Sequence, residues 1–233
     1  MAGRKKILKK KLKEPDEFIG FTEKTYLFVT RHLKPILTGG VLLLFFVFAF
    51  IFFQRSEKQN EAYADQKFSL AVQLYQSISS PYREESPAEY QNALEKFDEV
   101  ISKFPRTLSG KLSLFYKGNV HFRLAAYEEA IKEYQVFLQK AGKERLYRVL
   151  ALESMGYTYE RIKDYEKALH AFQQILEMGE TFELADAYLN IGHCYEKIGK
   201  NKEALESYKA FLRISEKSSV ANAVLRKVSL LER

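Results

Sequence analysis

Three glycines set the frame of this chain. Gly118, Gly156 and Gly192 are each followed twelve residues later by an alanine: Ala130, Ala168 and Ala204. Four residues beyond each alanine stands an aromatic: Tyr134, Phe172 and Tyr208. The units recur after 38 and then 36 residues, and an earlier half-unit keeps Ala93, Phe97 and Pro105. A period in this range marks stacked supersecondary units. Within one unit the spacing calls for two antiparallel helices, with Gly on the first and Ala on the second keeping side-chain bulk out of the crossing. The aromatic lies one turn beyond the alanine on the same helix face, where it is expected to fill the gap to the next unit. One hairpin cannot bury both of its apolar faces, so the expected fold is all-α, an α-solenoid of helical hairpins.

The ends of the array read differently. Twelve residues before Ala93 stands Pro81 rather than glycine. The first hairpin is therefore irregular, with a first helix over Glu61 to Ser79 that turns Phe68, Ala71 and Tyr75 inward. Ser80 to Ala88, with Pro81 and Pro87, reads as an extended turn. Ser219 to Leu231 reads as a closing helix whose Ala221, Val224, Leu225, Val228 and Leu231 cover the last hairpin, as solenoid ends require. A second copy of the chain could dock on the same side chains. With only 11 Gly and 5 Pro in 233 residues, little else interrupts helix.

Residues 36–53 form the other constraint. Fourteen of these eighteen are Leu, Ile, Val or Phe, and nothing more polar than Thr38 interrupts them. At 1.5 Å per residue the run spans about 27 Å, near the thickness of a hydrocarbon core. It is apolar all round, unlike a core helix with a polar stripe. The long leader and the absence of small residues after Phe53 argue against a cleaved signal peptide. A retained transmembrane helix over 35–53, near the N-terminus, is expected.

Charge orients that helix. Residues 1–34 hold ten Lys/Arg against four Asp/Glu, whereas 54–233 hold 27 against 26. The positive-inside bias places the N-terminus in the cytoplasm and the larger domain across the membrane, in the periplasm of a bacterium. The basic tail, 1–34, either lies on the inner leaflet as an interfacial helix using Phe18, Phe21, Thr25 and Phe28, or acts as a disordered tether. Lipid contact through tail and anchor follows from either. The near-neutral main domain carries no concentrated basic face, which excludes nucleic acid as a partner. The expected divisions are 1–34 (tail), 35–53 (span), 54–88 (connecting helix and irregular first repeat) and 89–233 (repeats and cap).

Chemistry is sparse. Of His32, His121, His170 and His193, none pairs at metal-ligand spacing, and His193 and the lone Cys194 are adjacent on a helix, about 100° apart. No phosphate loop, nucleophile elbow or zinc-protease motif occurs. The sequence therefore implies no enzyme, no metal and no cofactor.

The repeat resembles the tetratricopeptide repeat. The pattern runs Leu114, Gly118, His121, Tyr127, Ala130, Tyr134, then Leu152, Gly156, Tyr159, Tyr165, Ala168, Phe172, and then Tyr188, Gly192, Tyr195, Ala204, Tyr208. The likeness covers about residues 89–215, with a period longer than the family's usual one and Asn201 where Tyr127 and Tyr165 stand. It implies protein or peptide binding on a concave face lined by the first helices. The positions beside each glycine are Phe115, Asn119 and Phe122, then Glu153, Tyr157 and Glu160, then Leu189, His193 and Glu196. These aromatics either bind a peptide or pack against the preceding hairpin. The family's carboxylate clamp needs Lys and Asn; Asn119 is present, but Phe115 stands where the Lys would be.

One anchor followed by such hairpins also resembles, in architecture, the YfgM-like ancillary subunit family of the bacterial Sec translocon. That resemblance implies a periplasmic scaffold with Sec translocon subunits or periplasmic chaperones as partners. The alternative is a scaffold for envelope assembly or cell division on the same fold.

Overall fold

The computed structural model describes residues 17–79, 86–142, 145–178 and 183–232, with side chains described from Glu23 onward and at Glu183 left out. The lysine-rich start, the side chains of Phe18 and Phe21, and most of the extended turn after Ser79 therefore lie outside what is described. Every regular element among those described is a helix: α1 (Glu17–Arg31), α2 (Leu33–Ile78), α3 (Pro87–Lys103), α4 (Leu108–Arg123), α5 (Tyr127–Lys140), α6 (Arg145–Arg161), α7 (Tyr165–Glu177), α8 (Glu183–Lys197), α9 (Asn201–Ile214) and α10 (Ala221–Leu231). The protein is all-α.

The chain divides into two compact units, residues 1–57 and 58–233. In the first, α1 and α2 are separated only at His32. Pro35 has no N–H to give to the Arg31 carbonyl, so the ladder lapses for one residue and resumes with Ile36 N donating to His32 O at 3.0 Å. The apolar half of α2 then runs without interruption. Its most apolar stretch is long enough to cross a membrane, and none of it is buried.

In the second unit, the remainder of α2 packs with α3 as the first hairpin. Its buried residues, Ala64, Ala71 and Ile78, recur every seven residues, the stripe of a helix that meets a neighbour along one side. Phe68 packs its ring 6.3 Å from Phe97, and Tyr75 lies 6.5 Å from Tyr90. Hairpins α4–α5, α6–α7 and α8–α9 follow, each helix packing on the next. The first helices α4, α6 and α8 also touch one another and form one face of the array.

The glycine pattern has a local cause. A Cβ on Gly118 would sit 2.5 Å from the Tyr134 ring, on Gly156 2.5 Å from the Phe172 ring, and on Gly192 2.6 Å from the Tyr208 ring. Each aromatic ring lies against the glycine of its own hairpin and is fully buried there. The rings also pack toward the following unit: Tyr134 and Phe172 share one cluster with Val149 and Leu152 of α6 and Ile191 of α8, and Tyr208 shares another with Val224 and Val228 of α10. Ala93, Ala130, Ala168 and Ala204 are fully buried as well.

The turns inside the hairpins also repeat. Ala125, Lys163 and Gly199 all have left-handed φ, at 56°, 63° and 78°. After each, a backbone N–H reaches back five residues: Ala126 to His121 O, Asp164 to Tyr159 O and Lys200 to Tyr195 O, each at 2.9 Å. These are Schellman closures that satisfy the end of the first helix. Since this turn is invariant, the extra residues of the long period fall between hairpins.

At the C-terminus, Ala221, Val224 and Val228 of α10 are buried; Val224 and Val228 share a cluster with Tyr208 and Phe211, and Leu231 packs against it. Leu225 departs from expectation. It is half exposed, at the edge of the face that Val224 and Val228 bury.

Candidate protein-binding face

The first helices place their inner side chains by simple geometry. Residues three, four and seven apart share a helix face, so Phe115, Asn119 and Phe122 form a row on α4, and Leu150, Glu153 and Tyr157 a row on α6. Between these rows opens a pocket of about 270 Å³ lined by Tyr75, Asn119, Phe122, Tyr134, Ser154 and Tyr157. Three of the expected residues, Asn119, Phe122 and Tyr157, meet here. Tyr75, Tyr134 and Ser154 complete the lining. Tyr75 belongs to the hairpin without a glycine signature, and Tyr134 shows its hydroxyl end while its ring covers Gly118.

The polar atoms of this pocket are held by hydrogen bonds. Tyr134 donates its hydroxyl to Asn119 Oδ1 at 2.7 Å. Burial pushes the Tyr134 phenol above its ordinary range, and a hydrogen bond with Ser154 works in the opposite direction. Tyr157 donates to Glu153 Oε1 at 3.2 Å and accepts from Asn190 Nδ2 at 3.0 Å. Its phenol is pushed up to about 12, first by burial and then by the carboxylates around it. Its ring packs edge-on against Phe172, 5.5 Å away. Tyr157 is nonetheless 39% exposed, unusual for a large aromatic anchored at both ends.

Phe122 is half-buried, with Tyr127 5.7 Å away and the Arg161 guanidinium 5.9 Å above its ring. Phe115 is half-buried as well, its ring 5.9 Å from Tyr134 and 5.8 Å from Phe137. It lines neither this pocket nor the next and packs within the array.

The third row lies on α8. Leu189 is partly buried against the cluster that holds Tyr208 and Phe211. His193 Nδ1 lies 2.8 Å from Glu160 Oε1, which also receives the buried Cys194 thiol at 3.6 Å. Burial, with Glu160 adding to it, raises the Cys194 thiol far above the range of a reactive thiolate. Glu196 accepts from Tyr208 at 2.7 Å and from Lys227 of the capping helix at 2.6 Å. Burial alone would raise this carboxyl, but those two hydrogen bonds outweigh it and hold it low. Among the described residues, no group of His, Cys, Asp or Glu is placed to hold a metal ion.

The profile of the tetratricopeptide repeat-like domain matches residues 28–232, nearly the whole chain and including the apolar stretch. The chain belongs to the tetratricopeptide repeat-like domain family. That family consists of non-enzymatic protein-interaction scaffolds whose repeats bind peptides and proteins. No curated protein matches the sequence. Among solved structures, a tetratricopeptide repeat protein from Parabacteroides merdae ATCC 43184 superposes with a TM-score of 0.57 at 18% identity, covering 72% of this chain. The match spans 60% of the length of that protein. The MamA RS-1 ArsTM double mutant gives 0.53 at 15% identity, covering 73% of this chain and 94% of its own. MamA AMB-1 gives 0.52 at 16%, covering 74% and 80%. At these identities the likeness is one of fold.

Proposed function

We propose that the protein is a single-pass, membrane-anchored scaffold of the bacterial inner membrane, whose repeats bind polypeptides in the periplasm as an ancillary partner of the Sec translocon or of periplasmic chaperones. In this reading residues 1–34 are the cytoplasmic basic tail and 35–53 the span. Residues 54–88 link the span to the first hairpin, and 89–233 carry the repeats and cap.

One observation carries the reading. A helix apolar on all sides, with none of its apolar stretch buried, leads in the same element into a repeat domain whose first-helix face leaves Tyr157 and Phe122 partly open. A surface apolar all round is stable only in an apolar solvent. Anchored aromatics beside a pocket suit polypeptide recognition. The cationic tail before the span and the sparse Lys/Arg after it support a cytoplasmic N-terminus. The family match, which takes in the apolar stretch, supports treating span and repeats as one design.

Two measurements test this. Alkaline phosphatase fused to the C-terminus should be active and green fluorescent protein at the same place dark; the opposite pair would reverse the topology. Affinity purification of the full chain in mild detergent should retain translocon subunits or periplasmic folding factors. Retention only of envelope-assembly or division proteins would move the protein to that alternative role.

A further inference from the structure

Beside the aromatic pocket lies a second one of different character. It opens between α6 and α8, holds about 140 Å³, and is lined among others by Leu146, Leu150, Ala187, Glu153, Asp186 and Asn190. Leu146 is 57% and Leu150 37% exposed, so the aliphatic floor is open to solvent. Two carboxylates belong to the lining: Glu153, which Tyr157 already engages, and the exposed Asp186. Among the described residues, neither this pocket nor the aromatic one has a Lys or Arg in its lining. An apolar floor with an acidic lining matches a side chain whose methylene stem can lie on leucine while its cationic head reaches a carboxylate.

Tyr157 joins the two pockets. Its ring lines the first, and its hydroxyl is bonded to Glu153 and Asn190, which line the second. The Arg161 guanidinium already occupies the space over Phe122. A second cation is therefore repelled from the aromatic end and drawn to the acidic end, which gives a ligand one orientation. Packed helices lie about 8–10 Å apart, and an extended chain advances about 3.3 Å per residue. The linings are also offset along α6, so the two pockets lie about three to four residues apart along an extended peptide.

We infer that this face binds an extended polypeptide segment carrying an aromatic or large aliphatic residue in the Tyr75–Phe122–Tyr157 pocket and, about three to four residues away, a lysine or arginine between Leu150 and Asp186. The inference rests on the reading of this face as the polypeptide-binding site and adds the chemistry of what binds. It is opposite in charge to a clamp for carboxylate tails.

The test uses the full chain in neutral detergent and three peptides with a neutral fluorophore, Gly-Ser-Phe-Gly-Ser-X-Ser-Gly, where X is Arg, Ser or Glu. Binding is followed by fluorescence anisotropy at low salt. An exposed charge pair contributes modestly, and reversing its sign roughly doubles the difference. The Arg peptide should bind about fivefold tighter than the Ser peptide and about tenfold or more tighter than the Glu peptide, with the gap shrinking as salt is added. Asp186→Lys, with unchanged helicity by circular dichroism, should reverse that order, and Asp186→Asn should shrink it. Equal binding of all three peptides, or an order untouched by Asp186→Lys, overturns the inference and leaves the groove reading standing. No binding of any peptide also overturns it, and cross-links at Phe122 then decide separately whether the face binds polypeptide at all.

Discussion

The glycines of the apolar stretch and those of the repeats answer to different surroundings. A Cβ added to Gly39 or Gly40 would meet nothing within 4 Å, whereas at Gly118, Gly156 and Gly192 it would strike a buried ring. The same contrast runs along α2 itself. Its first half presents Leu44, Phe46 and Phe48 on every side, all exposed, while its second half buries only the line through Ala64, Ala71 and Ile78. A uniform apolar surface calls for a uniform apolar solvent, and a narrow stripe calls for a neighbouring helix. Under the proposed function, the difference separates a segment stabilised by lipid from one stabilised by protein.

The largest effect should come from charging the first region. Leu44→Arg combined with Phe48→Arg should abolish membrane retention on carbonate extraction, since each Arg at the centre of a span costs about 2.5–3.5 kcal/mol. The helicity of the repeats should survive. Retention of the double variant would remove the basis for calling the stretch a span.

Next in size is the steric test of the second region. Gly156→Ala should lower stability by about 1–3 kcal/mol in chemical denaturation, because the Phe172 ring beneath it is fully buried and cannot move aside. Adding Phe172→Leu should recover part of that loss. Gly39→Ala should change neither stability nor membrane retention. An equal penalty at Gly39 and Gly156 would erase the contrast between the two regions.

Asn119→Ala should cost about 1–2 kcal/mol in the same measurement, because it leaves the buried Tyr134 hydroxyl without its 2.7 Å acceptor. The turns offer a smaller gain. Ala125→Gly and Lys163→Gly should each stabilise by about 0.5–1 kcal/mol, since their left-handed φ favours glycine, and Gly199→Ala should lose a similar amount.

The smallest effect is a pH dependence at the cap. The Glu196 carboxyl is held below its ordinary value by Lys227 and Tyr208 against the opposing effect of burial. Its contribution is therefore complete above the unfolded glutamate range, near about pH 4, and is lost as pH falls through the folded value. Thermal melts on either side of that window should differ less in Glu196→Gln than in the parent, by a few tenths of a kcal/mol for so exposed a pair.

Much of the fold was legible because two offsets recur three times. Gly-to-Ala and Ala-to-aromatic spacings are the covalent trace of a hairpin crossing, and they located α4 to α9. The ring's true seat on its own glycine was not legible, since a sequence gives spacing along the chain but no direction across the hairpin. The left-handed turns were hidden because two of the three are Ala125 and Lys163, residues that rarely adopt that conformation. Gly110 was missed for another reason: it follows no period, yet a Cβ there would run into the Phe104 carbonyl, and its N–H donates to Thr107 Oγ1 at 3.0 Å to cap α4. At the binding face, helical spacing brought Asn119, Phe122 and Tyr157 to one pocket. It offered no means to see that Phe115, one turn before Asn119, faces Tyr134 and Phe137 instead. The acidic pocket was missed because Asp186 and Asn190 precede Gly192 by six and two residues, outside the positions flanking the glycine that the family pattern highlights.

The central claim is that the first-helix face of an anchored repeat domain holds polypeptide. Photo-crosslinking amino acids placed singly at Phe122, at Tyr157 and at the exposed Gln135 of α5, in the full chain in native membranes, test it most directly. The account predicts polypeptide adducts from positions 122 and 157 and none from 135. Adducts equal at all three, or absent from 122 and 157, would contradict it.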